Sequence, residues 1–169
     1  MNVMMLGIWY EAVMRWVGEA ISVMAMGRTF VKQRKDTEEK RQQAVLIPEH
    51  VDVIAHMACG AQAHFCSTRV AGHAGPSGCR LYGSDGTLRF EEGRLFGGRR
   101  DDARLTEIAI PATEEGRWRV EEEFVNAIRG LEPVRLTTFE DGVRYMEFTE
   151  AVYRSRQTGM AIPLPLIAP

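Results

Sequence analysis

The sequence predicts an α+β fold: an open, mostly antiparallel mixed β-sheet with helices packed on one face. Three observations predict it. Apolar residues at helical spacing occupy the start of the chain and return near its end. Between them lie short alternating runs broken by glycine-bearing dipeptides, the mark of hairpins. Hairpins make their strands antiparallel, and amphipathic helices cover the apolar face of such a sheet.

Met5, Ile8, Trp9, Val13 and Trp16 recur at spacings of three and four and predict a first helix, with Gly18 as its stop. Ile21 to Val31 follows as a strand, in which Ile21, Val23 and Ala25 alternate with smaller or polar residues. Lys32 to Gln43 carries mixed charge and no apolar residue, so it reads as a solvated loop or strand extension.

Val51, Val53, Ala55 and Met57 then alternate with His50, Asp52, Ile54 and His56. Cys59-Gly60 reads as a two-residue turn, with a return strand from Ala61 to about Ala71. This register sets Ile54 opposite Phe65, Asp52 opposite Ser67 and Val53 opposite Cys66. One face then carries His50, Asp52, Ile54, His56, Phe65, Ser67 and Arg69, with His73 beyond. The other carries Val51, Val53, Ala55, Met57, Cys66 and Val70 and suits helix packing.

A second hairpin joins Cys79–Ser84 to Thr87–Glu92 through Asp85-Gly86, which pairs Leu81 with Phe90 and Arg80 with Glu91. Leu105 to Ile110 is a further strand, ended by Pro111, and Gly97-Gly98 reads as a turn. Val120, Phe124, Ala127, Ile128 and Leu131 line one face of a helix. Thr137 and Glu140 form a capping-box pattern for the next, whose core face is Val143, Met146, Val152 and Tyr153 and whose C-cap is Gly159. Ala161 to Leu166 is a short extended tail.

Composition narrows the class. A chain of 169 residues suits a single domain, 1–169. Twenty-one basic residues against 23 acidic ones leave a net charge of −2, which predicts no strong attraction to nucleic acid. No apolar run approaches the roughly 20 residues that span a bilayer. Glu11 and Arg15 interrupt the apolar start, which therefore reads poorly as a signal peptide. Three cysteines, Cys59, Cys66 and Cys79, are too few and too irregular for a disulfide framework, so a cytoplasmic setting is the expectation.

The chemical motifs are mostly absent. There is no G-x-G-x-x-G or G-x-x-x-x-G-K-[ST] cradle, no H-E-x-x-H and no G-x-S-x-G. His50, His56, Cys59, His64, Cys66, His73 and Cys79 match no standard zinc spacing. The hairpin register also puts His50 and His56 on one face and His64 and Cys66 on the other, so no metal is expected. Asp52, Arg69 and His73 could share acid–base work if they met in a cleft, but their spacing does not require it. The mixed face suits a pocket, a subunit contact or water equally.

Three segments carry a resemblance. LGIWYEAVMRWVGEAISVMAMGRTF resembles the helix and first strand that open the C-terminal domain of the Gfo/Idh/MocA family of oxidoreductases. YGSDGTLRFEEGRLF resembles that family's G-[ST]-x-G-[ST]-L hairpin. EEFVNAIRGLEPVRLTTFEDGVRYMEFTEAVYRSRQTGMAIPLPL resembles its closing helices and short apolar strand. The resemblance covers nearly the whole chain, with its motifs in the family's order.

The resemblance implies a substrate-binding and dimerisation domain that works beside an N-terminal Rossmann domain, with NAD or NADP as the cofactor of a full-length relative. It implies sugar or polyol ligands and a homodimer formed through the open sheet face. Trp9, Asp52, Arg69 and His73 become the substrate-binding candidates; no cofactor-binding or catalytic residue is expected in this chain. A free-standing ligand-binding or oligomerisation module is the alternative. One departure bears on chemistry. The family's D-x-G-x-H pattern reads Met5-Leu6-Gly7-Ile8-Trp9 here, and neither a thioether nor an indole can act as a general base. The expected outcome for the purified 169-residue chain is no NAD(H) binding by calorimetry; measurable affinity would count against this reading.

Overall fold

The computed structural model describes residues 3–166. They form two units. Residues up to Ala71 and from Glu123 onward make the first, and Gly72–Glu122 the second.

In the first unit a π-helical turn, Val3–Gly7, runs into helix α1, Ile8–Val17. Leu6 of the turn and Tyr10, Val13 and Met14 of α1 form the buried stripe, which corrects the expected face. Of that set only Val13 is buried, and Ile8 and Trp16 are 56% and 47% exposed, because packing against Phe148 and Phe65 turns Tyr10 inward. Gly18 ends α1 as expected, with φ of 86° and its N–H on the Met14 carbonyl at 2.9 Å. Strand β1, Ala20–Arg28, then leads through a small ribbon, β2 (Gln33–Lys35) with β3 (Gln42–Ala44), into β4, His50–Met57. The charged segment is thus a solvated hairpin, not a loop. Glu49 anchors it: this nearly buried carboxylate accepts the Phe30 and Val31 N–H groups at 3.1 and 2.8 Å and pairs with Arg34.

Strand β5, Gln62–Thr68, completes that side of an antiparallel sheet, and the closing segment Ile162–Pro163 completes the other. Within this sheet Val23, Ala25, Val51, Val53, Ala55 and Met57 point to a core covered by the last helix, Phe139–Thr158. Alternation places them there, since side chains one residue apart leave opposite faces. Ile21 departs from the expected alternation and is 52% exposed, because a β-bulge between Ala20 and Ser22 re-aims it.

The centre of the core is aromatic. Tyr10 of α1 stacks on Phe148 of the last helix with ring centroids 3.7 Å apart, and Phe65 of β5 meets both edge-on at 6.1 and 5.4 Å. The Tyr10 hydroxyl accepts the Ala20 N–H at 2.9 Å, and burial raises its pKa. Ser155, fully buried, ties the last helix to both of its neighbours. Its hydroxyl accepts the Ala25 N–H at 2.9 Å and donates to the Met160 carbonyl at 2.6 Å.

The position of Phe65 corrects the expected hairpin. Val53 faces Phe65, Asp52 faces Cys66 and Ile54 faces His64, a slip of one residue from the expected pairing. The loop has three residues, not two: the Met57 N–H donates to the Ala61 carbonyl at 2.9 Å, and Gly60 alone takes positive φ, 88°. A type I′ turn over Cys59-Gly60 would have forced cysteine into the left-handed region as well.

In the second unit, β6 (Gly78–Tyr82), β7 (Gly86–Glu91), β8 (Arg94–Arg99) and β9 (Thr106–Ile108) form an antiparallel sheet in sequence order. Here the expected turn shifts by one residue. The Gly83 N–H donates to the Gly86 carbonyl across Ser84-Asp85, so Leu81 pairs with Leu88 and Arg80 with Arg89. Gly86 belongs to the strand, where a Cβ would stand 2.3 Å from the Gly98 carbonyl oxygen. Gly97-Gly98 is not a turn either. Both lie within β8, where a Cβ on Gly97 would meet Ile108 at 2.6 Å.

Helix α2, Val120–Ile128, leads to α3, Phe139–Thr158, and Gly159 caps α3 in the left-handed region as expected. The capping box falls one residue later than expected, on Thr138 and Asp141. The core face of α3 is Phe148, Thr149, Ala151, Val152 and Ser155. Of the expected set only Val152 is buried, and Val143 is 59% exposed. The apolar stripe of α2 is present but open: Phe124 and Ile128 are 50% and 72% exposed. Strand β10, Ile162–Pro163, gives the sheet order β10-β1-β4-β5. The α+β class and its antiparallel sheets are as expected.

Truncation at the centre should be costly. Phe148→Ala is expected to lower unfolding free energy by about 3–5 kcal/mol in chemical denaturation. Ser155→Ala should cost about 1–3 kcal/mol, because it leaves the buried Ala25 N–H without an acceptor.

Candidate functional site

The outward face of the first sheet concentrates the unusual side chains. Inward alternation on β4 leaves His50, Asp52, Ile54 and His56 facing out. The observed register adds His64 and Cys66 of β5 to that same face. The expectation that His64 and Cys66 lie opposite the other histidines is therefore corrected, and Phe65 leaves the mixed face for the core.

Asp52 sits at the middle of this group. Its two carboxylate oxygens meet the Nε2 atoms of His50 and His64, at 2.6 and 3.0 Å. Cys66 is directly opposite on β5, and ligand atoms of His50, Asp52 and Cys66 lie within 4.8 Å of one another. Burial pushes the Asp52 pKa up, but hydrogen bonds from His64, His50 and Cys66 outweigh it and hold the carboxyl below its ordinary value. Burial raises the Cys66 thiol, and the Asp52 charge adds to that. The group is open to water, with side chains of His50, Asp52 and His64 at 32%, 42% and 59% exposure.

Beside it the same face is apolar. Met24 of β1 pairs with Ile54, and Met24, Met26 and Ile54 are 52%, 78% and 39% exposed. Methionine adapts its shape to what it meets, and these three side chains make the patch apolar.

The other expected residues lie elsewhere. Trp9 is half-buried on α1, one turn after the half-buried Met5 and on the same side of the helix. Arg69 is exposed just past β5, its N–H on the Glu49 carbonyl at 2.8 Å. His73 is exposed in the second unit with φ of 56°. Asp52 is joined by His50 and His64, which sequence reasoning assigned no role in a common site. The signal was in the alternation, and a three-residue loop at Gly60 would have revealed it.

A second concavity lies at the C-terminal end of α1. Tyr10, Arg15, Glu19, Asp141, Arg144 and Glu147 are among its lining residues. Arg144 bridges Glu19 and Asp141, each at 3.1 Å, and Thr137 donates to Glu11 at 2.6 Å. Arg15, Glu19, Asp141 and Arg144 are thus already held in ion pairs.

No helix among the described residues is long and apolar enough to cross a membrane. No family model and no curated protein matches the chain. Solved structures do. A levoglucosan dehydrogenase in complex with NADH and L-sorbose matches with a TM-score of 0.80 at 20% identity, over 96% of this chain and 50% of that one. An NAD binding oxidoreductase from Klebsiella pneumoniae matches at 0.73 and 17% identity, over 93% and 48%. The WlbA dehydrogenase from Bordetella pertussis, in complex with NADH and UDP-GlcNAcA, matches at 0.62 and 23% identity, over 95% and 44%. The chain thus spans about half the length of these oxidoreductases and shares the fold of that half.

The capping pair at the cleft gives a pH test. The Thr138 backbone N–H, hydrogen-bonded to Asp141, holds that carboxyl below its ordinary value against the effect of burial, and the Thr138 hydroxyl and Arg144 add to it. A depressed folded pKa stabilises above the unfolded value, about 3.9, and the effect is lost as pH falls through the folded one. Asp141→Ala should therefore lower stability by about 1 kcal/mol at pH 7. Denaturant curves of variant and wild type should converge in acid.

Proposed function

We propose that this chain is the C-terminal, substrate-binding and dimerisation domain, residues 1–169, of a Gfo/Idh/MocA-type oxidoreductase acting on a sugar or polyol. One observation carries the reading: a match along 96% of the chain to half of an oxidoreductase solved with NADH and a sugar. The order of the three resembling segments supports it independently. In this reading NAD or NADP is held by a Rossmann domain, and the setting is cytoplasmic.

Trp9 is the substrate contact we favour. Its indole offers a flat apolar surface to the C–H face of a sugar ring and an N–H to a hydroxyl. Arg69 and His73, both exposed, are ligand contacts of their own units. Asp52 contributes through its imidazole partners rather than alone. Met5 and Trp9 cannot exchange a proton near neutral pH, so these two positions bind and orient but supply no general base. That pair also favours the second reading, a ligand-binding or assembly module without hydride transfer.

The outward face of the first sheet is the dimer surface in this proposal, with Met24, Met26 and Ile54 at its centre. Apolar cores with methionine are typical of such contacts.

Light scattering on the full chain tests the contact. A dimer is expected, and Met24→Glu with Ile54→Lys should give a folded monomer. A monomeric wild type would sink the dimer. Thermal shift against L-sorbose, levoglucosan and simple polyols tests the ligand class: at least one should raise Tm, and Trp9→Ala should remove the shift. No shift from any of them, or one unchanged in Trp9→Ala, would overturn the substrate reading.

A further inference from the structure

We infer that His50, Asp52, His64 and Cys66 form a binding site for a single divalent transition-metal ion of the zinc class, on the outward face of the first sheet. The four donors are two imidazoles, a carboxylate and a thiol, and all come from one chain. The site shares its face with the dimer surface proposed above, since Ile54 is the cross-strand partner of His64, but its test reads metal binding and does not require a dimer.

The sheet supplies the spacing. Asp52 and Cys66 are cross-strand partners, which puts their Cβ atoms about 5 Å apart on one face. His50 is two residues before Asp52 on the same strand, and His64 two residues before Cys66 on its own. Period-two alternation therefore aims all four to one side. In a tetrahedral site with metal–nitrogen and metal–oxygen distances near 2.0 Å and metal–sulfur near 2.3 Å, donor atoms stand about 3.3 to 3.5 Å apart. Those of His50, Asp52 and Cys66 already lie within 4.8 Å of one another, and His64 Nε2 is 3.0 Å from the Asp52 carboxylate. The trio is already clustered; His64 lies outside it and completes the set by swinging from its Asp52 oxygen toward the shared centre.

The chemistry of the donors selects the ion. Imidazole and thiolate suit zinc, cobalt or copper, whereas magnesium and calcium take oxygen donors. In the unloaded protein N–H groups of the imidazoles donate to the carboxylate and hold the group together; on binding, each imidazole ligates through Nε2 as its Nδ1–H tautomer, and the Cys66 thiol proton leaves to solvent. The partial exposure of every donor gives the ion a path in. The nearest basic side chain on the neighbouring strand, Arg28 opposite His50, lies over the Phe30 ring with its guanidinium carbon 5.7 Å from the ring centroid.

The test is cobalt titration of the full chain, chelator-stripped and kept reduced, followed by absorption. One equivalent of Co²⁺ should produce a thiolate-to-cobalt charge-transfer band with visible bands of four-coordinate intensity, and Zn²⁺ should erase them. Cys66→Ser should lose the charge-transfer band, and His64→Ala should weaken binding at least about tenfold. The double variant Cys59→Ser with Cys79→Ser should behave as wild type, which shows that the other two thiols are not the source. Zinc should also raise Tm in wild type and not in Cys66→Ser. Circular dichroism checks that each variant folds, and Asp52→Asn serves in place of any that does not. A chain with no charge-transfer band, a band that survives Cys66→Ser, or equal affinity in His64→Ala overturns the site and leaves a hydrogen-bonded histidine–aspartate cluster.

Discussion

The inward packing of Phe65 against Tyr10 and Phe148 is the constraint on which the rest of the first unit depends. Three rings from α1, α3 and β5 meet at one point, with Tyr10 and Phe148 parallel to within 2°. Burying such a ring contributes about 1.5–3 kcal/mol, and each aromatic pair adds about 0.5–1.5 kcal/mol. Slipping β5 by one residue would forfeit these terms and turn His64 and Cys66 into the core. No turn preference at Gly60 is large enough to oppose that.

The same constraint builds the outward face. Once Phe65 points in, His64 and Cys66 must point out beside His50 and Asp52. A decision made by apolar packing on one side of the sheet thus assembles polar donors on the other. Ser155 and the Tyr10 hydroxyl complete the arrangement by satisfying the Ala25 and Ala20 N–H groups, so that α1, α3 and β1 share a fixed geometry. A face built on so rigid a support is suited to hold a ligand or a partner in register.

Much of this was legible in advance. The existence of α1, the inward set on β4 and the caps at Gly18 and Gly159 follow from local rules, because each depends on a few neighbouring residues, whereas of the expected α1 face only Val13 is buried. The errors share a cause. At Gly60 and at Gly86 the dipeptide suggested one turn, and a contact from distant residues chose another. Phe65 settled the first; the close approach of the Gly98 carbonyl settled the second. On α3 the helical period allowed more than one stripe, and only the packing partners picked Phe148, Ala151 and Ser155 over Val143 and Tyr153.

The sequence by itself determined the class of fold, its antiparallel hairpins and the apolar identities of Met5 and Trp9 at the start of the chain. Those are matters of composition, period and residue identity. The tertiary structure alone decided that His50, Asp52, His64 and Cys66 stand together. Strand side chains alternate with a period of two, so one residue of register separates a dispersed set from a convergent one. That single residue was set by where an aromatic ring could be buried.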